Sequence, residues 1–211
     1  MSQNNIEYRE IRKEDYDALA KIIRKTWEYD KFCSAKTAQR MSKIYLASCL
    51  NVQTYTCVAV DNGEPVGIIM GRDEKNPNRS FKHSFHLFRT IFPMMMSREG
   101  RKVAKMFGGI EKIDKLLLEE TGVSFGGELA FFVLRDDQRG KGIGKELFNR
   151  VVNYMKARKI TNFYLYTDCT CNFGFYEHQG MKRLGEKIFD LKPHTDKTMD
   201  FFIYGYAIPQ D

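Results

Sequence analysis

The sequence predicts an α/β protein organised as one domain, residues 1–211, and three observations carry that expectation. An apolar strand-like run, residues 128–134, leads through a glycine-rich loop into a helix-like run, residues 142–159. Two strand-like segments, residues 54–60 and 65–72, flank Asp61-Asn62-Gly63, where Asn-Gly tolerates the positive φ values of a tight hairpin turn. The chain has 211 residues, 43% of them apolar and only 5 of them proline, which suffices for one well-filled core.

Taken in order, residues 6–11 read as an opening strand and residues 13–27 as a helix with Leu19, Ile22 and Ile23 on one face. Residues 36–50 read as a second helix, followed by the hairpin. Residues 73–125 read as helical. Phe81, Phe85, Phe88 and Phe92 fall at helical spacing until Pro93 stops the pattern. Ser97 is placed to cap a helix running to about residue 107, Gly108-Gly109 is expected to break it, and a third helix over 110–120 puts Ile110, Ile113 and Leu117 on one face. After the glycine-rich loop come a strand at 162–167, a short helix near 172–179, and two final strands at 182–189 and 199–207, with a turn at Pro193-His194. There is no internal repeat and no low-complexity tract.

Several function classes are disfavoured by composition. No apolar run approaches the ~18 residues of a membrane span, and Met1-Ser2-Gln3-Asn4-Asn5 lacks the regions of a signal peptide, so a cytoplasmic location is expected. Five cysteines at irregular spacing suit reduced thiols. Cys169-x-Cys171 is the only close pair; it lacks the usual zinc spacing, and no metal is expected. The formal charge of +7 is spread along the chain without a block of like charges, so a solvated surface is expected and nucleic acid is not. His83, His86, His178 and His194 have no triad context.

The loop Gln138-Arg139-Gly140-Lys141-Gly142-Ile143-Gly144-Lys145 has the character of a phosphate cradle. Glycines let the backbone turn tightly beside an anion, and the helix behind them presents unpaired N–H groups. It is not a P-loop, because Arg139 stands where the first Gly is required and Glu146 replaces the hydroxyl residue. The dinucleotide fingerprint starting at Gly140 fails at Lys145, and the register starting at Gly142 fails as well.

The pattern that fits is Arg139-x-x-Gly142-x-Gly144, and with it the chain resembles the GCN5-related N-acetyltransferases, whose acetyl-CoA pyrophosphate loop has this signature. A second segment agrees: Asn172-Phe173-Gly174-Phe175-Tyr176-Glu177-His178-Gln179-Gly180-Met181 is similar to the family's Asn…Phe-Tyr-Glu-x-x-Gly-Phe/Met helix and exit. The resemblance covers residues 126–190 well and 6–72 weakly. It implies a mixed, mostly antiparallel sheet flanked by helices and splayed around acetyl-CoA. Residues 73–125, where the family has a short turn between its third and fourth strands, then read as a helical insertion. The aromatic stripe of that insertion is read as core; a lid or wall over the acceptor site, made with Met94-Met95-Met96, is the alternative.

The resemblance also implies roles. Backbone groups near Phe132, Val133 and Leu134 would receive the pantetheine arm as though it were an added strand. Amides of Lys141, Gly142, Ile143, Gly144 and Lys145 would hold the pyrophosphate, with Gly140 in the turn and Arg139 at the loop's entrance. Tyr176 matches the family's general acid, which protonates the departing thiolate; a core aromatic is the alternative. Asn172 precedes it by four residues, on one helical face, where the commoner family separation is seven. Glu128, six residues before Leu134 and expected to share its facing, is the candidate base, with a solvated strand-end residue as the alternative. Glu28, Tyr29 and Asp30 read as a polar loop or as part of an acceptor pocket. The expected function is transfer of an acetyl group from acetyl-CoA to a primary amine by direct attack, the acceptor a small molecule, with a peptide as the alternative. The rival reading is an acyl-CoA-binding module without turnover, its insert serving a partner or a second copy in a homodimer.

Overall fold

A computed structural model describes residues 6–31, 33–76, 91–92, 94–190 and 198–209. One sheet takes up all the described strands: β1 Ile6–Arg9, β2 Tyr55–Asp61, β3 Glu64–Asp73, β4 Gly127–Leu134, β5 Asn162–Asp168, β6 Lys182–Asp190 and β7 Thr198–Ala207. Their spatial order is β1-β2-β3-β4-β5-β7-β6. Every pairing is antiparallel except β4 with β5, which is parallel. The helices are α1 Tyr16–Thr26, α2 Ala35–Val52, α3 Arg98–Glu120, α4 Ile143–Ala157 and the short α5 Gly174–His178.

The β2–β3 hairpin turns as its sequence requires, with Asn62 at φ 50 and Gly63 at φ 84. Strand alternation then sorts the core into two faces. Val58, Val60, Ile68, Met70, Phe131 and Val133 pack with α1 and α2 residues such as Leu19, Ile23, Met41 and Leu50. Cys57, Ala59, Ile69, Leu129, Phe163 and Leu165 face the other way, onto Ile143, Leu147, Val151 and Met155 of α4. On the far arm of the first face, Ile113 and Leu117 of α3 bury against Tyr164, Phe201 and Ile203.

The break expected at Gly108-Gly109 does not occur: α3 is one continuous helix of 23 residues. Ser97 caps it as expected, accepting from the Gly100 N–H at 2.9 Å. The helix survives two glycines because it is held by tertiary packing. A Cβ at Gly109 would meet the Phe189 ring of β6 at 2.9 Å, so glycine there permits the close approach of helix to sheet. Of the aromatic stripe, Phe81, Phe85 and Phe88 lie outside the described residues, as do Pro93 and the Pro193-His194 turn. Phe92, Met95 and Met96 are exposed, whereas Met94 joins the core beside Val103.

Helix α3 is fastened at both ends. Near its start, Glu99 accepts from the Ser34 N–H and hydroxyl, each at 2.8 Å, and from the Thr37 hydroxyl, all at the N-terminus of α2. Near its end, Ile113 and Leu117 rest on β5 and β7. The helix thus spans from α2 to the far arm of the sheet, roughly 35 Å at 1.5 Å per residue.

Candidate active site

Strand β4 pairs with β5 only at Gly127↔Phe163 and Glu128↔Tyr164; beyond Glu128 the two strands part. Among the described residues the backbone edge of β4 from Leu129 to Leu134 is therefore without a strand partner on that side, which is the opening an extended ligand arm requires. Phe132, Val133 and Leu134 lie on this stretch. Phe132 and Leu134 point toward the glycine-rich loop, their side chains 3.5 and 3.8 Å from where a Cβ of Gly144 would stand.

The glycine-rich loop presents backbone amides that lack internal acceptors. Gly140 and Gly142 take φ 77 and 81, values that L side chains rarely adopt, and a Cβ on either would project into open space. Gly142 is the N-cap of α4 and offers no side-chain cap, so the first-turn amides of Ile143, Gly144 and Lys145 have no internal acceptor. No backbone acceptor serves the amides of Gly140 or Lys141 among the described residues. These groups converge at the positive end of a 15-residue helix. The turn before them is pinned by buried Gln138, whose Nε2 donates to Asp61 at 3.2 Å and whose Oε1 accepts from Lys141 at 3.0 Å. Arg139 is exposed and pairs with Asp136 at 2.9 Å, and Lys145 is exposed.

Tyr176 sits on α5, beside Phe132 of the diverging strand at 6.5 Å between rings and Phe175 at 5.6 Å. Burial pushes its phenol upward, with further contributions from Cys171 and Asp168, although the ring keeps some exposure. Asn172 is exposed and lies before the first residue of α5, so the shared helical face expected of Asn172 and Tyr176 does not form.

The facing expected of Glu128 is also corrected. A bulge sets Met70 opposite Phe131 but Gly71 opposite Leu129, so β4 carries one extra residue at Ala130. Parity reverses across it. Leu134 faces α4, whereas Glu128 faces the side of Phe131, Tyr164 and Tyr166. There it is buried, with Oε2 3.0 Å from Nη2 of Arg72, its cross-strand partner. Arg72 also holds Glu74, and Tyr164 donates to Glu74 at 3.0 Å. Burial pushes the Glu128 carboxyl up to about 7 against the pull of Arg72, with Glu74 adding to the rise.

Three residues not singled out in the sequence join this face. Asp114 of α3 and Asp168 of β5 interact electrostatically with each other, Asp114 with Glu128, and Asp168 with Tyr176. Arg72 is the third. The available signal for Asp114 was its place in the apolar pattern: it falls four residues after Ile110 and three before Leu117, an acidic residue on a face turned to the core. An aromatic wall of Trp27, Tyr45 and Phe131 lies on the same side, with ring separations of 5.5 to 5.8 Å. Glu28, Tyr29 and Asp30 are accounted for structurally: Tyr29 is core, Glu28 pairs with Lys31 at 2.7 Å, and Asp30 accepts from Arg24 Nε at 2.7 Å. Cys171 and Cys169 are free thiols.

A family model described as the acetyltransferase (GNAT) family matches residues 16–181, and the chain belongs to that family, a family of acyltransferases. None of the curated protein sequences matches it. Solved structures share the fold at low identity. An aminoglycoside 6'-N-acetyltransferase complexed with coenzyme A aligns with TM-score 0.56 and 16% identity, over 97% of this chain and 98% of that one. The ribosomal-protein-S18-alanine N-acetyltransferase from Escherichia coli aligns with TM-score 0.54 and 12% identity, over 98% and 96%. The protein smu.2055 from Streptococcus mutans UA159 aligns with TM-score 0.57 and 15% identity, over 96% and 99%.

Proposed function

We propose that the protein is an acetyl-CoA-dependent N-acetyltransferase that acetylates a small primary amine by direct attack in a ternary complex. The observation that carries this reading is the position of Glu128: a buried carboxylate at the point where β4 leaves β5, with the anion-binding loop at the other end of the opening. Acetyl-CoA, when bound, supplies a thioester carbonyl and a thiolate leaving group. The amides from Lys141 to Lys145 would bind its pyrophosphate, with Gly140 in the turn and Arg139 adding charge at the entrance. The open edge at Phe132, Val133 and Leu134 would orient its arm through backbone groups. Asn172, outside α5, is placed to contribute only from the rim.

Glu128 takes a proton from the acceptor ammonium, leaving a neutral nitrogen able to attack. A carboxyl raised to about 7 is matched to that task at neutral pH. Tyr176, kept protonated by its surroundings, gives its phenolic proton to the sulfur. The new bond is N–C and the broken bond C–S. The nitrogen loses two protons, one to Glu128 before the attack and one after the N–C bond forms, and this second proton restores the Tyr176 phenol that has protonated the thiolate.

A small acceptor is favoured because α3 crosses the face of Glu128 and is fastened at both ends, to the start of α2 and to β5 and β7. All five cysteines are free thiols, in keeping with a cytoplasmic location. The test is calorimetric titration with acetyl-CoA and CoA, followed by thiol release across a panel of amines and peptides. Binding with amine-dependent release supports the proposal. Binding without release on any acceptor supports the module without turnover, and absence of binding to folded protein removes the cradle assignment.

A further inference from the structure

Glu177 follows Tyr176 in the Phe-Tyr-Glu run and takes no part in the proton transfers above. Its carboxylate nevertheless turns back onto the sheet. Oε1 accepts from the Tyr204 hydroxyl at 2.7 Å and lies 3.5 Å from Nη2 of Arg183. Tyr204 is fully buried on β7, and Arg183 stands directly opposite it on β6, its Nε donating to the same hydroxyl at 3.0 Å. Guanidinium, phenol and carboxylate thus form one directed chain of hydrogen bonds, in which each member strengthens the next. The guanidinium also lies 4.0 Å over the Phe202 ring and 5.1 Å from that of Phe173, the residue immediately before α5. Both ends of α5 are therefore fastened to β6 and β7 through Arg183. That fastening matters because α5 has five residues, none of them buried, and a helix of that length is not stable alone.

We propose that Glu177 is a positioning residue: clasped by Tyr204 and Arg183, it sets the rotation of α5 so that the Tyr176 hydroxyl stays aimed at the leaving sulfur. This rests on the N-acetyltransferase reading above, in which Tyr176 is the acid. Consecutive helical residues differ by roughly 100° in direction, so a carboxylate held at one position fixes where the neighbouring phenol points. Tyr204 joins the two, since its hydroxyl holds Glu177 while its ring lies 6.3 Å from that of Tyr176. The contacts of Tyr176 with Phe132 and Phe175 are ring on ring, a geometry that tolerates sliding, whereas a hydrogen-bonded carboxylate fixes direction. A displacement of about 1 Å at a reacting group is enough to cost about 10²-fold in rate. Glu177 acts through Tyr176 and not on the reacting atoms.

The experiment takes the parent, Glu177→Ala and Tyr204→Phe, each alone and combined with Tyr176→Phe. It measures thiol release from acetyl-CoA with the amine of the panel that the parent turns over fastest, and amide hydrogen exchange over residues 174–181 of the CoA-bound protein. Glu177→Ala and Tyr204→Phe are each expected to lower kcat roughly tenfold, with the acetyl-CoA KM within about twofold, and to speed exchange over 174–181 about tenfold. Neither is expected to slow the Tyr176→Phe protein by more than about twofold, because the group they misplace is already gone. Glu177→Gln keeps an oxygen for the Tyr204 hydroxyl and is expected to recover most of the loss. Parent kcat in both variants overturns the proposal, and so does an equal loss with and without the Tyr176 hydroxyl. Faster exchange over 174–181 in a protein that releases no thiol with any amine upholds the clasp and rejects the acetyltransferase reading, whereas unchanged exchange rejects the clasp whatever the rate.

Discussion

Arg72 and Glu128 stand directly opposite each other on β3 and β4, Nη2 3.0 Å from Oε2, on the face to which the bulge at Ala130 turns Glu128. The guanidinium holds the carboxyl lower than burial alone would set it. Arg72→Gln is expected to move the rising limb of the kcat/KM–pH profile to higher pH. It should also lower thermal stability, by on the order of 2 kcal/mol, because Glu128 loses its partner while remaining buried. A pH series of initial rates and a melting curve check both.

Tyr176→Phe removes one hydroxyl and keeps the ring contacts with Phe132 and Phe175. Turnover is expected to fall about 10²-fold or more, with CoA affinity within about twofold of the parent by calorimetry. Equal turnover in the two proteins removes Tyr176 from the mechanism.

Asp114→Asn is expected to stabilise the fold. The Asp114 carboxyl is raised from its ordinary value to about 7, by burial first and then by Glu128, Asp168 and Glu111. A carboxyl raised on folding binds more protons in the native state between those two values, so it destabilises increasingly as pH climbs through that window. The variant should therefore exceed the parent by on the order of 2 kcal/mol near pH 8 and match it near pH 4, read as melting temperature at the two values.

Gly142→Ala forces a side chain into φ 81 at the N-cap of α4. The expected cost is about 1–2 kcal/mol, with weaker CoA binding because the amides of Ile143 to Lys145 are displaced. By contrast, Gly108→Ala falls in the middle of α3, where a Cβ meets nothing within 4 Å. It should add about 0.5–1 kcal/mol of stability.

Much of this was legible in the sequence. The glycine-rich loop is legible because the positive φ of Gly140 and Gly142 is a local backbone need, and the hairpin because Asn62-Gly63 satisfies a local turn. What local pattern does not encode is how elements meet. The bulge at Ala130 reverses the facing of Glu128, and no residue type marks it in a run of apolar side chains. Gly108-Gly109 reads as a break, yet the second glycine is the contact that lets Phe189 hold the helix whole. Asp114 becomes informative only when Ile113 and Leu117 lay α3 across β5 and β7 and the Oδ1 of Asp114 is left enclosed without a hydrogen-bond partner.

The central claim, that Glu128 accepts the acceptor's proton in an acetyl transfer, is tested most directly by thiol release from acetyl-CoA as a function of pH in the parent and in Glu128→Gln. The account predicts that kcat/KM of the parent rises with pH through about 7, and that the variant binds CoA normally but turns over about 10²-fold more slowly or less, without that rise. A variant with the rate and pH profile of the parent would contradict it.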